Sequence, residues 1–311
     1  MTTVRRSATV ALFTGVATAS LGTFVWACTI VNGYSLPPDG SSSSGTSGSS
    51  GTSGSSGTSG SSGGVDAGDA LTAAIFASNP LAYYHLDETT GTTARDATGK
   101  GHDCTYTGGL TRGVPGISGK GLRVPDTFDG VVCDPSFFDF RGSQPFAFEG
   151  WFAPDKIDRG FRALFSRMIP GPAGPKTGYE AVFNADPAHL QFSAVLDGNN
   201  SSPLCPTGLD AGCPGTPDGN GVTTCGRMMH VVISYDGSSI TTYLEGAVGS
   251  PSGCGGMPVG DASVSFTIGN YNLGASCAGC GFVGVLDEFA VYDHALSAAA
   301  VKAHFDAAPP H

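Results

Sequence analysis

Basic side chains are scarce: the 311 residues hold only 15 Lys and Arg against 26 Asp and Glu, a formal net charge of −11. With no basic stripe to neutralise phosphates, nucleic acid is excluded as a partner, and an acidic surface favours solubility and cations instead. Charged residues of all kinds make up only 13% of the chain while Gly reaches 48, which argues against coiled coils and helical bundles and for a turn-rich β-protein. Glutamate is limited to Glu88, Glu149, Glu180, Glu245 and Glu288. No two of these share a strand at the spacing of the paired carboxylates that retaining glycoside hydrolysis needs. No Ser-His-Asp set stands out either.

A single long apolar run, Val10 to Val25, follows Arg5 and Arg6. It reads as an export signal, residues 1–27; the alternative, a membrane span, is opposed by its shortness and by Gly15, Ser20 and Gly22. The signal ends in Val25-Trp26-Ala27-Cys28, which resembles the lipobox of bacterial lipoproteins, with Trp26 where a small residue is usual. Cys28 is therefore the expected lipidation site, the alternative being a free secreted protein. Nine cysteines are odd in number. Assigning Cys28 to lipid leaves Cys104, Cys133, Cys205, Cys213, Cys225, Cys254, Cys277 and Cys280, an even set suited to an oxidising compartment.

Residues 28–68 form a linker in which Gly-Thr-Ser-Gly-Ser-Ser repeats from about Ser41 to Gly64, with no side chain able to build a core. As a random coil, ~24 such residues span roughly 25–30 Å, enough to lift a domain off a lipid anchor. Residues 69–308 are the folded domain. Short runs alternate apolar and polar between Gly, Pro, Asn and Asp clusters, the pattern of an all-β sandwich. Phe146, Phe148 and Phe152 share one face of a strand, with Glu149 and Trp151 on the other. Glu149 beside Trp151 offers half of a carbohydrate site, against the plainer reading of a structural strand position. His230 to Gly246 reads as a hairpin turning at Asp236-Gly237. A short helix over Ala298 to Phe305 follows a Ser297 cap.

Five segments in order then carry a family resemblance: Tyr84 to Gly101, Gly116 to Leu122, Phe146 to Phe152, Met229 to Gly237 and Gly284 to Ser297. They resemble the laminin G-like family of the concanavalin A-like lectin/glucanase fold. The resemblance implies a jelly-roll sandwich of two antiparallel sheets closed by a short C-terminal helix. It also implies a non-catalytic surface module for a glycan or protein ligand, with a structural coat domain or a glycoside hydrolase as alternatives. His230 recurs in the family hairpin, which favours a packed residue over a general base.

Residues 199–226 read as a long stapled loop, where Asn199, Asn200, Asp210 and Asp218 offer polar groups with Tyr271 and Asn272 nearby. Extending the hairpin outward pairs Cys225 with Cys254. The spacing of Cys277 and Cys280 suggests a tight disulfide, and Cys104–Cys133 and Cys205–Cys213 follow by proximity and exclusion. Asp287 lies in phase with Val283, Val285, Phe289 and Val291, so simple alternation puts a carboxylate on an apolar face, where it needs a partner. The resemblance implies a structural calcium ion there, held by Asp287 with Asp87 or Glu88 and Asp96. Hydrogen bonds from the Asp96-to-Gly101 turn, or a β-bulge that reverses Asp287, are the alternatives.

Overall fold

The computed structural model describes residues 67–127, 129–157, 161–171, 174–185, 188–195, 209–210, 227–254, 263–271 and 280–311. Cys28, the repeats, Asn199, Asn200, Cys205, Cys213, Asp218, Cys225, Asn272 and Cys277 lie outside them.

Among the described residues seventeen strands, numbered β1–β17 along the chain, form two antiparallel sheets. The first runs β14 (Ala247–Val248), β13 (Ser239–Leu244), β12 (Met229–Tyr235), β7 (Phe146–Pro154), β17 (Gly284–Tyr292), β5 (Lys120–Val124), β4 (Thr111–Pro115). β1 (Ala82–Tyr84) adds to β17 and β15 (Ser252–Gly253) to β13. The second runs β11 (Leu209–Asp210), β10 (Ala188–Val195), β9 (Gly174–Ala185), β8 (Phe161–Gly171), β16 (Thr267–Ile268), β6 (Val131–Val132), β3 (Cys104–Tyr106), β2 (Thr93–Ala94).

The inward faces pack as one core. β7 supplies Phe146, Phe148 and Phe152, and the second sheet answers with Phe165, Tyr179, Phe183 and Phe192. Phe148 lies 4.4 Å from Phe165 and 5.2 Å from Phe266 between ring centroids, within the range of favourable aromatic contacts. Cys104 and Cys133 are bonded, fitting the adjacent pairing of Thr105 with Val132 between β3 and β6. Cys254 and Cys280 each take part in a disulfide as well.

The expected hairpin is β12–β13, with Gly237 at φ +100 in its turn, a conformation open to glycine. Helix α2 (Ala298–Ala307) starts at Ser297, whose hydroxyl accepts from the Ala300 N–H. A second helix, α1 (Ala67–Ala77), was not anticipated. Its Leu71 and Ile75, one turn apart, are buried with Trp151, Tyr292, Leu296 and Val301 on the outer face of the first sheet.

β17 corrects the expected alternation. Its pairing with β7 shifts between Asp287 and Ala290, and Glu288 sits at φ +51. This bulge puts Leu286 and Phe289 both into the inter-sheet core, so Asp287 leaves that core and faces the turn before β5.

Candidate functional site

Among the described residues, three groups of buried polar side chains differ in their internal satisfaction. The first lies under the helices, on the outward phase of β7. Glu149 Oε1 meets His230 Nε2 at 2.7 Å, Oε2 meets His304 Nδ1 at 2.9 Å, and the Tyr292 hydroxyl donates to Oε2 at 2.7 Å. Burial alone would raise this carboxyl, but the hydrogen bonds from His230 and His304 outweigh it and hold the group well below the usual carboxylate range. His304 Nε2 continues to Ser78 Oγ at 2.9 Å. A serine, a histidine and an acid are thus connected in the order of a nucleophilic relay. The Ser78 and Asn79 N–H groups, however, are spent on Ile75 and Phe76 carbonyls and cannot act as oxyanion donors. Glu149, Trp151, His230 and His304 are all at most 1% exposed, and the cluster pins α1 and α2 to the sheet.

The second group surrounds the bulge. Asp287 Oδ2 accepts from the Ile117 and Ser118 N–H groups at 2.8 and 3.2 Å, and Asp87 accepts from the Lys120 N–H at 2.7 Å. Two carboxylates therefore grip one turn, whose Gly116 passes so close that a Cβ would lie 2.2 Å from Asp287 Oδ2. Glu288, also buried, is bonded to the Tyr83 hydroxyl and to His85 Nδ1. Burial and the neighbouring Glu288 push the Asp287 carboxyl well above its ordinary value, and its Oδ1 has no partner. Asp96 lies apart from this pair in its hydrogen bonding. Its Oδ1 accepts from Tyr83 N, Thr98 N and Thr98 Oγ1, and its Oδ2 from His102 N. Asp96 is thus committed to its own turn, and Glu88 to Arg95 N and the Tyr106 hydroxyl. Among the described residues no group of three or more His, Cys, Asp or Glu is placed to hold a metal. Of the expected calcium ligands, only Asp287 Oδ1 and the Asp87 carboxylate remain near one another as oxygen donors, short of the six to eight oxygens calcium takes.

The third group was not singled out in the sequence. On β9, Tyr179, Ala181 and Phe183 point into the core, so Glu180 and Val182 point to the outer face of the second sheet. In register, Glu180 lies between Ser166 of β8 and Ser193 of β10. Beyond Ser166 stands Thr267 of β16. Ala163, Met168, Val182 and Tyr271 form an apolar cluster on the same face. Glu180 is 6% exposed and lies beside Tyr271, and among the described residues its Oε2 has no hydrogen-bond partner. Burial pushes its carboxyl up to about 7, against a small opposing effect of the Tyr271 bond. Among the described residues no other carboxylate and no basic side chain contributes to that shift. Tyr271 was expected near the 199–226 loop, of which only 209–210 are described; it lies beside Glu180. Asp210 falls on β11, opposite His189 of β10.

The architecture has known counterparts. Domain 4 of an extracellular arabinanase from Geobacillus stearothermophilus, solved with arabinotriose, is 18% identical, with a TM-score of 0.52 over 72% of this chain and 97% of that one. The binding domain of botulinum neurotoxin serotype G gives a TM-score of 0.53 at 9% identity, over 73% of this chain and 50% of that one. The binding domain of Paraclostridial Mosquitocidal Protein 1 gives 0.52 at 15%, over 73% and 52%. The chain thus spans about half the length of the two toxin domains, and at such identities the likeness shows the fold alone. No curated protein sequence matches the chain. The family model of the concanavalin A-like lectin/glucanases superfamily matches residues 126–302, from before β6 into α2, and the chain belongs to that superfamily.

Proposed function

We propose that this chain is a non-catalytic cell-surface binding module whose ligand, a glycan or a protein, is held on the outer face of the second sheet at Glu180 and Tyr271. The observation that carries this reading is the unpartnered, buried Oε2 of Glu180 beside apolar side chains. Buried polar atoms are nearly always satisfied, so a lone acceptor or donor at an apolar face is a mark of something that completes it. The arabinanase domain solved with arabinotriose makes a neutral oligosaccharide the first ligand to try.

The test is glycan-array binding of the intact chain and of Glu180→Ala. Binding that weakens at least tenfold in the variant is the expected result. Capture of a protein ligand with no glycan bound would favour the protein branch, and cleavage of a polysaccharide would replace this reading with the hydrolase.

Export and a lipid anchor at Cys28 belong to the same proposal, because the Gly/Ser repeat suits a tether; the mass of the mature N-terminus tests them. A calcium ion at Asp287 and Asp87 is supported by the free Oδ1 of Asp287. A melting temperature that rises in calcium and not in Asp287→Ala is the expected sign, and equal curves in calcium and chelator would remove the ion.

A further inference from the structure

We propose that Ser78 is an activated nucleophile, a modification site at which a small activated acyl ester transfers its acyl group onto this chain once. The site lies under the helices of the first sheet, apart from the ligand face read on the second, so the two stand or fall separately.

The hydrogen bonds fix which atom carries which proton. Glu149 receives the Tyr292 hydroxyl at 2.7 Å, His230 Nε2 at 2.7 Å and His304 Nδ1 at 2.9 Å, and three donors converging on one carboxyl suit a carboxylate. A carboxylate only accepts, so the His304 proton sits on Nδ1. In the neutral ring Nε2 is then a bare acceptor, and the Ser78 hydroxyl, 2.9 Å away, donates to it. Ser78, His304 and Glu149 thus have the polarity of a general-base relay as well as its order.

The relay is closed at its inner end and open at its outer one. Glu149 and His304 are at most 1% exposed, so solvent does not compete for the imidazole. Ser78 is half-buried and sits between the exposed Ala77 and Asn79, where α1 ends. Asn79 turns the chain there at φ +50. Lys100 reaches the same turn, donating from Nζ to the Pro80 carbonyl at 2.6 Å and to Asn79 Oδ1 at 3.3 Å, and brings a positive charge to the rim.

In the transfer, Ser78 Oγ attacks the ester carbonyl carbon while its proton passes to His304 Nε2. The new Oγ–C bond forms, the bond to the leaving alkoxide breaks, and the proton moves from His304 to that alkoxide. Nothing is oxidised or reduced. What the site lacks sets the class of donor. The Ser78 and Asn79 N–H groups are bonded to the Ile75 and Phe76 carbonyls, so no backbone pair from this turn stabilises an oxyanion. A peptide or an alkyl ester is therefore out of reach, whereas an ester with a good leaving group is not. The same deficit leaves the acyl-serine in place, because its hydrolysis passes through a similar tetrahedral intermediate.

The experiment treats the intact folded chain with p-nitrophenyl acetate and maps the acetylated residues by mass spectrometry over time. Ser78 should acetylate at least about tenfold faster than any serine of residues 41–62, a modest share of what a positioned general base supplies, and should keep the acetyl group. In the urea-unfolded chain that preference should vanish, and in His304→Gln it should fall by a similar factor. If His304→Gln does not fold, the folded and unfolded wild-type chains decide alone. Ser78 reacting no faster than those serines in the folded chain, or with the same preference in urea, overturns the proposal. So does an undiminished preference in a folded His304→Gln, since the hydroxyl would then be merely accessible. Steady release of acetate from Ser78 overturns the single transfer, and with it the non-catalytic reading of the chain.

Discussion

Glu149 and Glu180 are both buried carboxyls on outward-facing positions of neighbouring sheets, and they differ only in what surrounds them. Glu149 has two imidazoles and a phenol; Glu180 has one phenol. Their effects on stability therefore have opposite signs. Glu180 titrates at about 7 in the folded chain against an ordinary 4.5, so the folded state holds its proton longer. Its contribution is full below the ordinary value and is lost as pH rises through the folded one, a swing of roughly 3 kcal/mol between about pH 4.5 and 7. In urea denaturation, Glu180→Gln should remove that decline. Glu149 is depressed, so its stabilisation persists at neutral pH and disappears only in strong acid. Glu149→Ala strips a buried acceptor from His230, His304 and Tyr292 and should cost about 3–5 kcal/mol in the same measurement. The burial of Glu149 and Trp151 on one face of β7 agrees with the plainer reading of the sequence, a structural strand position. Glu180 was not singled out. Its outward phase follows from Tyr179, Ala181 and Phe183, but a strand that is buried on both sides is recognised only if the apolar Val182 and Met168 are read on the same outward face.

At the scale of elements, β12–β13, the inward phase of β7 and the Ser297-capped α2 follow from local chemistry: an Asp-Gly turn, an alternating aromatic triple and a hydroxyl before an Ala-rich run. β17 is different. Its apolar residues continue in apparent period two through Asp287, and the extra residue of a bulge leaves no mark in such a pattern. Only the pairing with β7 and the positive φ of Glu288 show that the phase changes. α1 was missed because its Leu71 and Ile75 emerge directly from a low-complexity tether, where two apolar residues one turn apart are easily discounted. The grip of Asp287 on the turn before β5 depends on the absence of a side chain at Gly116. A Cβ there would lie 2.2 Å from Asp287 Oδ2 and 2.5 Å from the Lys120 carbonyl oxygen. Gly116→Ala should destabilise by about 1–3 kcal/mol, read as a lower denaturation midpoint with unchanged slope.

In the whole molecule this sandwich follows the Gly/Ser repeat and the apolar run before Cys28, proposed as tether and export signal. Cys104–Cys133 closes a loop of 29 residues in sequence separation between β3 and the segment after β6. In the chain-entropy picture such a loop contributes about 3–4 kcal/mol, so the double variant Cys104→Ser, Cys133→Ser should unfold at correspondingly lower urea. The proposed binding face is the side of the second sheet that carries Glu180 and its apolar cluster, in a superfamily whose name covers both lectins and glucanases. Amide hydrogen exchange of the intact chain, with and without a saturating neutral oligosaccharide chosen from the array, locates that face most directly. Slowed exchange is expected at residues 163–168 of β8 and 178–182 of β9, and it should vanish in Glu180→Ala. Slowing confined to the helix-covered face of the first sheet, or at none of the strands, would contradict the assignment of Glu180 and Tyr271 as the binding site.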